Sequence, residues 1–113
     1  MRPELELISE WIRPGARVLD LGCGDGALLA YLHTHRQVSG YGLEIDSANL
    51  VQCIQTGVSV IHADLEAGLA DFSDSSFDYV IMTQTLQAVK HTERLLDEML
   101  RVGRQGIVTF PNF

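Results

Sequence analysis

The sequence predicts an α/β architecture, a mainly parallel sheet with helices on both of its faces. Three observations carry this expectation. Short apolar runs alternate with segments of helical spacing along the whole chain. The alternation has the pitch of strand–helix–strand units, which place successive strands side by side in one sheet. The first strand also runs straight into a glycine-rich turn and then a helix.

Residues 3–12 form the first helix, with Leu5, Ile8, Trp11 and Ile12 at helical spacing and Pro3 suited to a first turn. Pro14 and Gly15 end it. Residues 17–21 are a short apolar strand, and 25–33 return to helical spacing through Leu28, Leu29 and Leu32. A second strand over 38–43 contains Gly40 and Gly42. Ser47 is the expected cap of a helix reaching residue 55, with Leu50, Val51 and Ile54 facing inward and Gly57 stopping it. The third, fourth and fifth strands fall at 58–62, 77–82 and 107–110. Between the last two, a helix at 92–102 sets Leu95, Leu96, Met99 and Leu100 on one side. Residues 64–76 read as loop with a short helical turn, closing in a tight polar turn at 73–76.

Composition bounds the function. The chain has 113 residues, 46% of them apolar, with 8 Lys+Arg against 15 Asp+Glu and a formal net charge of −7. That predicts one acidic domain spanning residues 1–113, since a chain of about 100–150 residues can bury a core of its own. No apolar stretch approaches the ~18 residues of a membrane span, and Met1 opens onto an acidic helix, so no membrane contact and a cytoplasmic address are expected. Asp64, Glu66, Asp71, Asp74 and Asp78 share a window free of Lys and Arg, which disfavours nucleic acid as a partner. Cys23 and Cys53 lack metal or disulfide-scaffold spacing and read as buried small hydrophobes. His33 and His35, two apart on a helix, point to different faces, and no metal site is expected.

The chemistry concentrates in VLDLGCGDG, where the strand enters Gly22-x-Gly24-x-Gly26. Glycines there permit positive φ and strip away the Cβ atoms that would hold a ligand off the backbone. Glu44 follows Gly22 by 22 positions, at the end of the second strand. An acid about 20 residues on from such a turn hydrogen-bonds ribose hydroxyls in open α/β sheets, so the spacing fits a nucleoside ligand. Asp46 is a competitor but reads as the start of the next helix, where an acid complements the helix dipole. Asp64, where the third strand leaves the sheet, could accept from an exocyclic adenine amine with Leu65 over the ring. As a cap of the following turn it is equally well placed. A dinucleotide fingerprint is G-x-G-x-x-G, whereas here the third glycine comes one position early, which speaks against an NAD-dependent oxidoreductase.

VLDLGCGDG, the acid in YGLEID and the Asp in HADLEAGL resemble the three cofactor motifs of class I S-adenosylmethionine-dependent methyltransferases, which have a Rossmann-like fold. The resemblance implies S-adenosylmethionine as cofactor, with Asp20, Gly22 and Gly24 around its methionyl end in the turn that Gly26 completes. It implies Glu44 on the ribose hydroxyls, Ile45 against adenine, and Asp64 with Leu65 at the adenine amine. Together with FDYVIMTQTLQAV and the ending GIVTFPNF, these segments look more narrowly like the methionine biosynthesis protein MetW family. That likeness implies an accessory or regulatory role beside a homoserine O-acyltransferase. The alternative is a catalytic methyltransferase acting on a small metabolite.

Candidate catalytic groups are sparse. Gln84 and Thr85 end the fourth strand, His91 lies further on and Tyr79 sits within the strand; none is assigned a catalytic role, and the methyl acceptor is not legible. Thr83-Gln84-Thr85 also stands where amino-group methyltransferases carry an Asn/Asp-Pro-Pro-aromatic grip. Methyltransferases of this class usually add two more strands, so the resemblance implies a sheet truncated after the fifth strand, with 106–110 an uncovered apolar edge.

Overall fold

The computed structural model of the chain describes residues 3–83 and 90–110. The elements run α1 (Pro3–Trp11), β1 (Arg17–Leu21), α2 (Ala27–Arg36), β2 (Ser39–Glu44), α3 (Ser47–Thr56), β3 (Val60–His62), a 3₁₀ turn (Leu65–Ala67), β4 (Phe77–Thr83), α4 (Thr92–Val102) and β5 (Gly103–Thr109). Among the described residues the strands form one sheet in the order β3-β2-β1-β4-β5, every pair parallel. The α/β expectation is met.

Parallel strands covered on both faces must be apolar on both. In β1, Val18, Leu19 and Leu21 are completely buried, and β4 buries Val80, Ile81 and Met82 to the same degree. Alternate residues then feed two cores. Val18, Tyr79 and Ile81 pack with Ile8 of α1, Ile12 just after it, Leu28 and Leu32 of α2 and Cys53 of α3. Leu19, Leu21, Val80 and Met82 pack on the other face with Leu95, Met99 and Val102 of α4. This alternation points Asp20 toward the α1 and α2 side, into an otherwise apolar layer.

Several local expectations need correction. Asp46, not Ser47, caps α3, its side chain accepting from the Ala48 N–H at 2.9 Å. Val51 and Ile54 are exposed, and the buried residue of α3 is Cys53. The inward stripe of that helix runs through Leu50 and Cys53, so its larger apolar residues fall about 100° away, one residue's turn. Leu100 on α4 is likewise exposed. β3 is shorter than expected, whereas β5 begins at Gly103 and follows α4 without a loop. Its first half, Arg104 to Gly106, is exposed and pairs only with β4, so no apolar pattern marks it. The segment 84–89 and residues 111–113, including Gln84 and Thr85, lie outside the described residues.

The segment from Leu69 to Asp74 is fastened by the Arg101 side chain. Arg101 of α4 donates to the carbonyls of Leu69 at 2.8 Å and Phe72 at 2.9 Å, and to the carboxylates of Asp74 and Glu98. Ser75 N–H returns a bond to the Arg101 carbonyl at 2.8 Å. Arg101→Ala is therefore expected to lower the melting temperature and to speed amide exchange across residues 69–76 while the central strands stay protected. Arg101→Lys should restore little, because an ammonium cannot span two carbonyls and two carboxylates as the planar fork does.

Candidate cofactor site

The strand order reverses at β1, with β2 and β3 on one side and β4 and β5 on the other. In open α/β sheets the crevice for ligands lies at this switch point, outside the carboxyl ends of the strands. Two cavities occupy that end of the molecule. The larger, ≈ 380 Å³, runs from Asp20, Gly22 and Cys23 past Thr83 and Thr109 to Leu7 and Trp11 of α1 and Phe110. The smaller, ≈ 290 Å³, is bounded by Leu43, Glu44, Ile45, Asn49, Ala63, Asp64, Leu65 and Glu66. Gly22 and Gly24 line both, so the two chambers meet at the turn.

The turn has the shape its glycines allow. Gly22, Gly24 and Gly26 have φ of 67°, 60° and 84°. A Cβ on Gly24 would have nothing within 4 Å, which means its backbone faces open space available to a ligand. Gly26 has a different task. It lines neither cavity, caps α2, and a Cβ there would meet Cys53 and Val58 at 3.1 Å. Its role is to let α2 start close against α3.

Glu44 is 8% exposed and its carboxylate faces the turn. Oε1 accepts from the Gly24 N–H at 2.8 Å, and Oε2 from the N–H groups of Asp46 at 3.0 Å and Ile45 at 3.2 Å. Three backbone donors thus hold the carboxylate between the two chambers. Ile45 is more than half exposed over the smaller one. Asp64 caps the 3₁₀ turn, accepting from Glu66 N–H at 2.9 Å, and also borders that chamber. Asn49 and Glu66 also border the chamber, as do Thr83, Thr109 and Trp11 the larger one, and no spacing in the sequence marks them.

Asp20 is the unusual group. It is 1% exposed, and its Oδ1 has no hydrogen-bond partner among the described residues. A buried, unpartnered carboxyl is costly unless a ligand completes it or it keeps a proton. Burial first, and then the negative charge of Glu44, push its pKa up from 3.8 to about 8. Because the native state holds this proton more tightly than the unfolded chain, Asp20 erodes stability as pH rises from about 4 to about 8. Asp20→Asn is expected to gain stability over the parent progressively across that window, as measured by denaturant unfolding at several pH values. Equal slopes would show that Asp20 does not carry the proton.

Among the described residues, every ionisable side chain lining the chambers apart from the Cys23 thiol is acidic: Glu4, Asp20 and Asp25 in one, Glu44, Asp64 and Glu66 in the other. Among the described residues no cluster suits a metal ion, and no helix is long and apolar enough to cross a membrane.

The family model described as methionine biosynthesis protein MetW matches residues 2–113. The chain belongs to the MetW family. A relative from Rhodopirellula baltica, the bifunctional methionine biosynthesis protein MetXA/MetW, is 47% identical over 96% of this chain. The chain spans 19% of that relative's length, so the match concerns its MetW-like portion. Two solved structures share the MetW fold. One is a putative methyltransferase from an antibiotic biosynthesis pathway of Anabaena variabilis, with TM-score 0.79 and 24% identity over 95% of this chain and 44% of that one. The other is an S-adenosylmethionine-dependent methyltransferase from Thiobacillus denitrificans bound to S-adenosyl-L-homocysteine, with TM-score 0.75 and 20% identity over 91% and 45% of the two chains. At these identities the likeness establishes a class I methyltransferase fold for this MetW chain.

Proposed function

We propose that this MetW chain binds S-adenosylmethionine across the two chambers and serves as an accessory or regulatory partner of a homoserine O-acyltransferase in methionine biosynthesis. The observation that carries the cofactor reading is the pairing of chambers lined, among the described residues, by acids and no bases with a bare glycine turn between them. A dinucleotide brings a pyrophosphate, which the carboxylates of Glu4, Asp25, Glu44, Asp64 and Glu66 would repel; an adenosyl sulfonium brings positive charge. The residues fit such a ligand. Asp20, with its orphaned Oδ1, Gly22 at the meeting of the chambers and the open backbone of Gly24 suit the methionyl end. Glu44, already steadied by three N–H groups, keeps one lone pair on Oε1 for a ribose hydroxyl. Ile45 and Leu65 flank the space for adenine, and Asp64 offers an acceptor to its amine. Gly26 keeps the turn in place. When bound, this cofactor supplies an activated methyl group on sulfur.

The partner reading is supported by the Rhodopirellula relative, whose name joins MetXA and MetW in one chain. Calorimetric titration with S-adenosylmethionine and with NAD tests the first part, and equal or absent binding of both would remove it. Co-purification with a homoserine O-acyltransferase, together with a change in that enzyme's rate on adding the chain, tests the second.

One observation favours a second reading, in which the protein is a catalytic methyltransferase for a small metabolite. The larger chamber continues past Asp20 to Trp11 and Phe110, leaving room beyond the methionyl end. Holding an acceptor there in line with the methyl group could suffice without a dedicated base. Transfer of labelled methyl to a metabolite fraction would establish it.

A further inference from the structure

We infer that Cys23 and Cys53 form a peroxide-sensitive thiol pair whose conversion to a disulfide closes the site at the glycine turn. They are the only two cysteines in the chain, and both are free thiols. Their Sγ atoms lie 3.8 Å apart, one in the middle of the turn and the other on the buried face of α3. Cys53 Sγ also donates to the Gly24 carbonyl at 3.2 Å, so this sulfur already ties α3 to the turn. A disulfide requires a separation of about 2.0 Å, and the turn is the element with backbone freedom to close that gap.

Access is unequal. Cys53 is fully buried, whereas Cys23 keeps 8% exposure and lines the larger chamber beside Asp20. An oxidant entering the chamber therefore meets Cys23 first. A peroxide transfers one oxygen to the Cys23 sulfur, giving a sulfenic acid and an alcohol or, from hydrogen peroxide, water. The Cys53 sulfur then attacks that sulfur. The S–S bond forms, the hydroxyl departs with the Cys53 proton as water, and two electrons have passed from the thiol pair to the peroxide. Burial pushes both thiols up in pKa, with Asp20 adding its charge at Cys23, which slows the first step and keeps the pair reduced under mild conditions.

The disulfide would draw the turn toward α3 and displace the Gly24 N–H that Glu44 holds at 2.8 Å. The hinge between the two chambers is then lost. This consequence rests on the cofactor reading above, while the bond itself does not.

The test treats the reduced chain with hydrogen peroxide and reads intact mass, free thiols and affinity for S-adenosylhomocysteine. The expected product is a monomer lighter by two hydrogens, with no thiol left, reversed by dithiothreitol and binding at least about tenfold more weakly. Prior addition of S-adenosylhomocysteine should slow its formation. Cys53→Ala should stop at a sulfenic acid on Cys23 that dimedone traps. A folded wild-type chain that keeps both thiols, gains oxygen without losing Cys53, or links only to other chains overturns the inference. An intramolecular disulfide with unchanged affinity overturns the closure. If the reduced chain does not bind S-adenosylhomocysteine at all, the cofactor reading falls, and the mass and thiol count still decide whether the pair closes.

Discussion

Glu44→Ala is expected to weaken S-adenosylmethionine binding roughly 10- to 150-fold, the equivalent of the ~1.5–3 kcal/mol that hydrogen bonds to a charged group contribute. The loss has two sources. The ribose hydroxyls would lose their acceptor, and the N–H groups of Gly24, Ile45 and Asp46 would lose the carboxylate that gathers them. Glu44→Gln separates these sources. It keeps one carbonyl oxygen for Gly24 but sets an amide N–H₂ against the Ile45 and Asp46 donors, so its affinity should fall between the other two proteins. Calorimetric titration measures all three, and a melting curve for each guards against a folding effect. Unchanged affinity in Glu44→Ala would remove this residue from the site.

Gly40→Ala is expected to be the most damaging single substitution for folding, at about 4 kcal/mol or more, a large share of the ~5–15 kcal/mol by which domains are stable. Gly40 pairs with Val18 in the central register, with φ of 128°. An added Cβ would lie 1.8 Å from the Val18 carbonyl oxygen, a backbone atom that cannot step aside without breaking the β1–β2 ladder. Gly24→Ala is the instructive contrast. Its φ of 60° costs an alanine about 1–2 kcal/mol, yet the new methyl meets nothing within 4 Å. That variant should fold, and the methyl should intrude where the ligand approaches the backbone. Denaturant unfolding of both proteins, alongside cofactor titration of Gly24→Ala, tests the distinction.

The difference between these glycines shows what a sequence can and cannot convey. G-x-G-x-G after an apolar strand announces a turn, because the left-handed conformations of Gly22, Gly24 and Gly26 are properties of single residues. Glu44 was legible for a similar reason, since one strand and one helix set its distance from the turn within narrow limits. Which way a helix rolls is a collective property. α3 buries Cys53 and leaves Val51 and Ile54 in solvent because the glycine turn, which Cys53 meets at Cys23 and Gly24, decides the contact line, and residue size alone misjudges it. β5 was partly hidden because Arg104 to Gly106 pair on one side only and need no apolar side chain. The contribution of α1 to the larger chamber depends on how that helix packs back over the end of β1 and β5, and the orphaned oxygen of Asp20 depends on what packs around it. Neither leaves a trace in local spacing.

The acid-only lining has a consequence reaching well beyond contact distance. The field of acids gathered in two open clefts extends into solvent for about a Debye length, ~8 Å at physiological ionic strength. On the proposed cofactor reading, nucleotides bearing phosphates would be turned back in that approach zone, before shape can distinguish one adenosine from another, whereas sulfonium compounds would be hastened inward. Selection of this kind is a matter of arrival rates, and it fades as the surrounding electrolyte thickens.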